Sequence, residues 1–259
     1  MIVIPARLES RRLPRKLLLS ETGQPLLAHV IEQAQQATKA SGGLLAQVVV
    51  ACDREILCDV ATSCGVASVT TTSEHPNGTS RIVEAIRRLA LEDSLNFVIN
   101  LQADQPELSA KDIVRVASSL VEDPHAQVAT LAVSMGPQHK AFRGSRDTVE
   151  VEIDQQGQAK AFSRSPIRAV PALDQQESEA RWYYHVGVYA YRMKTLLAYG
   201  QLPESPRERE EQLEQLRLLE AGIAVNVAVL PESSFKPSVD TGDDYRAFVK
   251  RWNDRCRTL

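Results

Sequence analysis

The chain opens Met1-Ile2-Val3-Ile4-Pro5-Ala6-Arg7-Leu8-Glu9-Ser10-Arg11-Arg12-Leu13-Pro14-Arg15-Lys16. Residues 2–4 are uniformly apolar, as in a short buried strand. The loop that follows packs five cations into ten residues: Arg7, Arg11, Arg12, Arg15 and Lys16. A basic loop leaving a buried strand suits a polyphosphate, because backbone N–H groups, Arg forks and a Lys point charge all meet phosphate oxygens. Neither G-x-x-x-x-G-K-[ST] nor G-x-G-x-x-G occurs, so this is not a Walker loop or a dinucleotide fingerprint. On composition alone the same cluster is equally a solvated basic surface.

Beyond this loop, short apolar runs alternate with amphipathic stretches. The pattern predicts a helix over 25–40 with Leu26, Leu27, Val30, Ile31 and Ala34 on one face, a strand over 47–51, and a helix over 54–64 closed by Gly65. A strand over 66–70, a helix over 80–91, a strand over 97–101 and a helix over 110–121 follow. Continuous apolar strands alternating with helices mean an α/β fold: a mostly parallel central sheet with helices on both faces. Ligands bind such sheets at the carboxyl ends of the strands. Three polar loops fall there: 7–16, 53–55 and 102–107.

The middle of the chain reads differently. Strands are expected over 128–133, 149–153, 159–162 and 183–191, with a turn at 154–157 making a hairpin of the second and third. Residues 168–182 are polar and aperiodic and read as a mobile loop. The end returns to a helix over 207–221, a strand over 225–230 and a helix over 243–255. The expectation is one α/β domain over 1–259 with a β-rich insertion at about 134–192.

The chain has 259 residues, 43% of them hydrophobic, enough for a substantial core. No apolar run approaches the ~18 residues of a membrane span, and no secretory leader is read at the start. The expected location is therefore cytoplasmic, with no membrane partner. A net charge of -3 argues against a general nucleic-acid binder. Cys52, Cys58, Cys64 and Cys256 form no C-x-x-C pair and read as reduced thiols.

Three further segments carry candidate chemistry. In Asn100-Leu101-Gln102-Ala103-Asp104-Gln105-Pro106, Asp104 ends a buried strand, where a carboxylate can hold Mg²⁺ or cap the next turn. In Val239-Asp240-Thr241-Gly242-Asp243-Asp244, Asp240 is a second candidate carboxylate, and Thr241 or Asp243 a candidate cap for the last helix. In His75-Pro76-Asn77-Gly78-Thr79-Ser80-Arg81, Asn-Gly makes a turn and Thr79 or Ser80 can cap the helix after it. Arg81 would then sit in a first turn, where the helix dipole disfavours a cation.

Together these segments resemble the 3-deoxy-manno-octulosonate (Kdo) cytidylyltransferases, and the likeness runs almost the full length. The family's I-P-A-R…S-x-R-L-P-x-K matches Ile4, Pro5, Ala6, Arg7, Ser10, Arg12, Leu13, Pro14 and Lys16, and its H-x-x-G-T-x-R matches His75, Gly78, Thr79 and Arg81. N-x-Q-G-D-E-P is similar to Asn100, Gln102, Asp104 and Pro106, and F-S-R-x-P-I matches Phe162, Ser163, Arg164, Pro166 and Ile167. H-I-G-I-Y-A-Y-R is similar to residues 185–192, E-x-L-E-Q-L-R matches Glu211, Leu213, Glu214, Gln215, Leu216 and Arg217, and V-D-T matches Val239, Asp240 and Thr241.

The resemblance implies a nucleotidyltransferase using CTP and Mg²⁺ to make CMP-Kdo and pyrophosphate for lipopolysaccharide synthesis, as a homodimer formed through the β-rich insertion. It places Arg12, Lys16, Asp104 and Asp240 in catalysis, with Asp104 and Asp240 on the metal. It assigns Pro5, Ala6, Arg7, Ser10, Gly78, Thr79, Arg81 and Gln102 to the nucleotide, Gln102 also bordering the sugar. Arg164, His185, Glu211, Glu214 and Gln215 would form the sugar-acid pocket. The sequence departs from the family's habit at Arg15 and Ala103, where Gly is usual, at Gln105 for Glu, and at Glu150 for a common Lys. Two rival readings remain: another acidic sugar such as 8-amino-Kdo, and a nucleotide-binding homologue without catalysis.

Overall fold

The structure, a computed structural model, describes residues 1–145, 147–167 and 181–258. It separates into two compact units, one formed by Met1–Val114 with the stretch from Lys236 onward, the other by Arg115–Phe235. The second includes all of 134–192 and extends beyond it on both sides.

In the first unit the elements run β1 (Ile2–Ala6), α1 (Leu26–Ala40), β2 (Val48–Cys52), α2 (Glu55–Ser63), β3 (Ala67–Thr70), α3 (Gly78–Arg88) and β4 (Phe97–Leu101). Helix α4 (Ala110–Glu122) leads into the second unit. The strands pair in parallel in the order β3-β2-β1-β4, with Ile4 beside Val50 and Val3 beside Asn100. Strands β1 and β2 are buried at every residue, which is why they read as unbroken apolar runs. Strand β3, at the sheet edge, is not buried.

The chain moves outward from β1 through β2 to β3, then returns to lay β4 on the other side of β1. Right-handed crossovers put α1 and α2 on one face and α3 on the opposite one. Contact between α1 and α2 agrees with this. The switch point therefore lies between β1 and β4, and the loops leaving those two strands border the crevice.

Helix α3 starts earlier than the sequence pattern predicts. Its cap is Asn77, whose side chain accepts from Ser80 N at 2.9 Å, rather than Thr79 or Ser80. At its far end Ala90 N donates to Arg87 O and Leu91 N to Ile86 O, a Schellman closure. Ala90 holds the left-handed position of that motif at φ 51°. A Cβ is strained there, so Ala90→Gly is expected to stabilise the protein by about 1 kcal/mol. Urea denaturation checks this, and a lower midpoint would contradict it.

The second unit carries β5 (Val128–Met135), β6 (Glu150–Ile153), β7 (Ala159–Ser163), β8 (Trp182–Arg192), α5 (Met193–Tyr199), α6 (Pro206–Glu211), α7 (Leu216–Glu220) and β9 (Val225–Leu230). Strand β5 runs antiparallel to β8 and parallel to β9. The expected hairpin is β6 with β7, and Asp154 closes its turn by accepting from Gln156 N and Gln158 N at 2.9 Å each. The helix expected over 207–221 is two helices, because Gln212 adopts φ 53° and ends α6. Of the loop expected over 168–182, residues 168–180 lie outside the described residues, and Trp182 opens β8.

Helix α8 (Gly242–Thr258) closes the first unit. Thr241 is its cap: Asp244 N donates to Thr241 Oγ1 at 3.2 Å, and Thr241 N donates to Asp244 Oδ2 at 2.8 Å. Arg251 and Arg255 bind the buried Glu107 carboxylate, and Phe248 and Trp252 pack against the His29 ring of α1.

Candidate active site

The basic loop leaves β1 where Pro5 and Ala6 are buried. Asp53 pins its first turn, accepting from Leu8 N at 2.9 Å while its own N–H binds Ala6 O. Arg7 is exposed and Ser10 half-buried. The loop turns back at Arg15, and Lys16–Leu18 forms a short 3-10 turn that swings the Lys16 side chain inward.

Lys16 Nζ donates to Asp104 Oδ2 at 2.9 Å, Asp240 Oδ1 at 3.0 Å and Val239 O at 2.9 Å. All three of its protons are thereby committed. Arg12 Nη2 reaches Asp240 Oδ1 at 2.9 Å with its side chain half exposed. Val239 N donates to Asp104 O at 2.8 Å, tying the two carboxylate segments together. Burial alone lowers the Lys16 pKa, but the charges and hydrogen bonds of Asp104 and Asp240 outweigh it and raise it. Burial alone raises the Asp240 carboxyl, yet Lys16 and Arg12 hold it below the usual carboxylate range. The four residues assigned to catalysis thus form one cluster. Among the described residues, no group of three or more His, Cys, Asp or Glu forms a metal cage.

The nucleotide residues cluster beside it. A Cβ on Gly78 would stand 3.2 Å from both Pro5 Cγ and Gln102 Nε2, so the start of α3 lies close against these two residues. Gln102 Nε2 donates to Asn100 Oδ1, and Asn100 Nδ2 to the buried Thr79 Oγ1. Arg81 is buried, donating to Thr71 Oγ1 at 2.6 Å and Thr72 O at 2.9 Å, which resolves its conflict with the helix dipole. The loop before α3 is anchored by Glu84, which sequence reasoning missed. Its carboxylate accepts from Thr72 N, Thr72 Oγ1, His75 and Arg88. Burial pushes the Glu84 carboxyl up, but these bonds, led by that from His75, bring it down to about 2.

In the second unit, Ser163 Oγ donates to Glu211 Oε1 at 3.1 Å and Arg164 N to Glu211 Oε2 at 3.0 Å. Arg164 Nε donates to Glu211 O at 2.8 Å. Glu211 therefore holds the end of β7 and the Arg164 side chain in place. Gln215 is buried at the start of α7, and Glu214 O accepts from Tyr199 Oη at 3.3 Å. His185 is buried in β8, its ring edge-on to Phe162 at 4.9 Å and hydrogen-bonded to Thr130 Oγ1.

Burial pushes the His185 pKa down to about 3. The unfolded chain takes up that proton near pH 6.5 and the folded chain does not. Stability is thus expected to fall as pH drops from 6.5 toward 3, by about 1.4 kcal/mol per pH unit from this group. Urea denaturation at pH 7, 6 and 5 should show that slope reduced in His185→Asn. Equal slopes would contradict it.

A family model described as cytidylyltransferase matches residues 1–227. The 3-deoxy-manno-octulosonate cytidylyltransferase of Escherichia coli is 37% identical over 241 residues, covering 93% of this chain and 91% of that protein. The chain belongs to this family. Its relative of the same name from Halorhodospira halophila is 37% identical over 255 residues, with coverage of 96% and 95%. A solved CMP:2-keto-3-deoxy-manno-octonic acid synthetase complexed with CTP superposes with a TM-score of 0.83 at 35% identity, covering 100% of this chain and 98% of that one. HddC from Yersinia pseudotuberculosis, at 12% identity and a TM-score of 0.66, shares the fold.

Against the habit of the Kdo cytidylyltransferases, the departures differ in weight. Arg15 sits at φ 54°, a conformation that favours Gly, so the substitution strains the basic loop. Ala103 is buried and is not among the described residues with positive φ, so its backbone does not demand Gly. Glu150 is buried but paired: Arg143 grips both its oxygens at 2.9 Å, and Ile167 N donates to it at 3.0 Å. The reversed charge has its own partner.

Proposed function

We propose that this protein transfers CMP from CTP to Kdo, releasing pyrophosphate, and works with Mg²⁺ in the cytoplasm as a homodimer that supplies activated sugar for lipopolysaccharide synthesis. One observation carries the reading: Asp104 and Asp240 converge on Lys16 Nζ beside Arg12, at the switch point of a chain whose relatives of that activity match almost its whole length. Among the described residues no helix is long and apolar enough to cross a membrane.

Asp104 Oδ2 and Asp240 Oδ1, which lie 2.9 and 3.0 Å from Lys16 Nζ, supply a hard oxygen donor set once Lys16 moves aside. Mg²⁺ accepts one or two protein carboxylates and completes its shell with phosphate and water, so Asp104 and Asp240 fit it. When bound, it would supply charge neutralisation on the phosphate oxygens.

The sugar's anomeric oxygen attacks the α-phosphorus, the bond to the bridging oxygen of the β-phosphate breaks, and the hydroxyl proton passes to solvent water. Arg12, Arg7 and the loop backbone hold the phosphates. Lys16, once freed from the carboxylates, lends its charge to the departing pyrophosphate. Gly78, Thr79, Arg81 and Gln102 shape the nucleotide side. Arg164 pairs the sugar carboxylate through its planar fork, with Glu211 holding it in place and His185, Glu214 and Gln215 lining the sugar. No covalent intermediate on the enzyme is required.

The test is pyrophosphate release with Mg²⁺, Kdo and each of CTP, UTP, ATP and GTP. Release with CTP alone, with CMP-Kdo as product, is expected. Release with 8-amino-Kdo and not Kdo would move the substrate. CTP binding without release on any acidic sugar would favour a non-catalytic homologue.

A further inference from the structure

Strand β8 carries a bulge opposite β5. Thr130 lies across from Tyr189 while the next residue, Leu131, lies across from Val186, so two extra residues of β8 are accommodated there. The bulge gathers three groups on one buried hydroxyl: Thr130 Oγ1 is 2.8 Å from Val188 O, 3.3 Å from Val186 O and 3.1 Å from His185 Nε2. A hydroxyl has one proton, and carbonyl oxygens only accept. If Thr130 gave its proton to the imidazole, its oxygen would face Val188 O at 2.8 Å with no hydrogen between them, an uncompensated repulsion in a buried site. The proton therefore goes to Val188 O, and His185 Nε2 must donate.

From this we infer that Thr130 is a positioning residue that fixes His185 as the Nε2–H tautomer, leaving Nδ1 as a bare acceptor for a hydroxyl of the sugar rather than for its carboxylate. Nδ1 has no hydrogen-bond partner among the described residues, and it is not one of the polar atoms sealed without one. Burial keeps the ring neutral, with its pKa pushed down to about 3, so it offers a carboxylate no positive charge. The carboxylate is left to Arg164. Bulges recur beside active sites because they re-aim single side chains, and this one sets which ring nitrogen carries the proton. The assignment of the sugar to His185 rests on the proposed function. The tautomer does not.

Two measurements on the full-length protein test it. Long-range ¹H–¹⁵N NMR of the ligand-free protein should show His185 with a protonated Nε2 and an unprotonated Nδ1, unchanged from pH 6 to 8. Thr130→Val, which keeps the shape and removes the hydroxyl, should lose that tautomer preference. It should also raise the KM for the sugar about tenfold, the worth of one hydrogen bond, with kcat and the KM for CTP held within about twofold. Thr130→Ser should restore both. A wild-type His185 protonated at Nδ1 would overturn the proposal, whether or not the valine variant folds. So would a folded Thr130→Val with an unchanged KM for the sugar. If the wild type releases no pyrophosphate with any acidic sugar while the Nε2–H tautomer stands, the proposed function fails and the tautomer assignment holds.

Discussion

Asp104→Asn is expected to lower kcat by about 10³-fold while leaving the fold intact. The magnitude is that of removing one preorganised charge from a site where phosphate charge is redistributed. Asn keeps the shape and one oxygen, so Lys16 retains an acceptor there as well as Asp240 Oδ1 and Val239 O. The stability cost is confined to one charged hydrogen bond, about 1–3 kcal/mol. Asp240→Asn should abolish turnover similarly but cost more stability, because Asp240 also takes Arg12 and the Ser238 hydroxyl. Its depressed pKa makes that stabilisation fully present above the ordinary carboxylate range and lost only as pH falls below about 4, so neutral-pH assays read chemistry rather than titration. Steady-state kinetics with circular dichroism as the fold control checks both variants. Near-normal turnover of a folded Asp104→Asn would sink the metal assignment.

Much of the first unit was legible because its signals are local. Unbroken apolar runs at β1 and β2, and one broken only by Asn100 at β4, announce buried strands, and Gly65 at φ 72° closes α2 as its position suggested. The strand order was not legible. Nothing within residues 48–70 says that β2 and β3 lie to one side of β1 and β4 to the other, yet that reversal creates the crevice. The site shows the same division. Asp104 and Asp240 were readable as carboxylates, but their meeting on Lys16 is a contact between positions 88 and 224 residues away in sequence. Thr130 was invisible, since a Thr in an apolar strand carries no mark until the bulge in β8 gathers two carbonyls on its hydroxyl. Glu211 was found by resemblance, and its carboxylate proves to hold the β7 terminus. The helix over 207–221 was misread because no Gly or Pro within it marks a stop; the break depends on Gln212 taking a left-handed conformation, which its side chain does not advertise.

Arg217→Ala is expected to cost about 3–5 kcal/mol, a large fraction of the ~5–15 kcal/mol that holds an ordinary domain. Arg217 donates through Nε to Glu208 Oε2 and through Nη2 to Glu208 Oε1, both at 2.7 Å. The Glu208 side chain is 7% exposed and that of Arg217 12%. The guanidinium also lies 5.0 Å over the Tyr199 ring. Removing it leaves a carboxylate buried without its counter-charge, and that carboxylate is already half of the capping box that starts α6 with Ser205. The penalty comes from the orphaned charge rather than from the pair's net worth, so the pairing can be separated from the packing. Glu208→Gln combined with Arg217→Met removes both charges at similar volume and should recover most of the loss. The same change bears on function, because α6 and α7 bracket Glu211, Glu214 and Gln215. Loosening them should raise the KM for the sugar before it affects the KM for CTP. Urea denaturation of the single and double variants decides the matter: a loss below about 1 kcal/mol in Arg217→Ala would mean that Glu208 finds water or another partner, and that the ion pair does not hold the two short helices together.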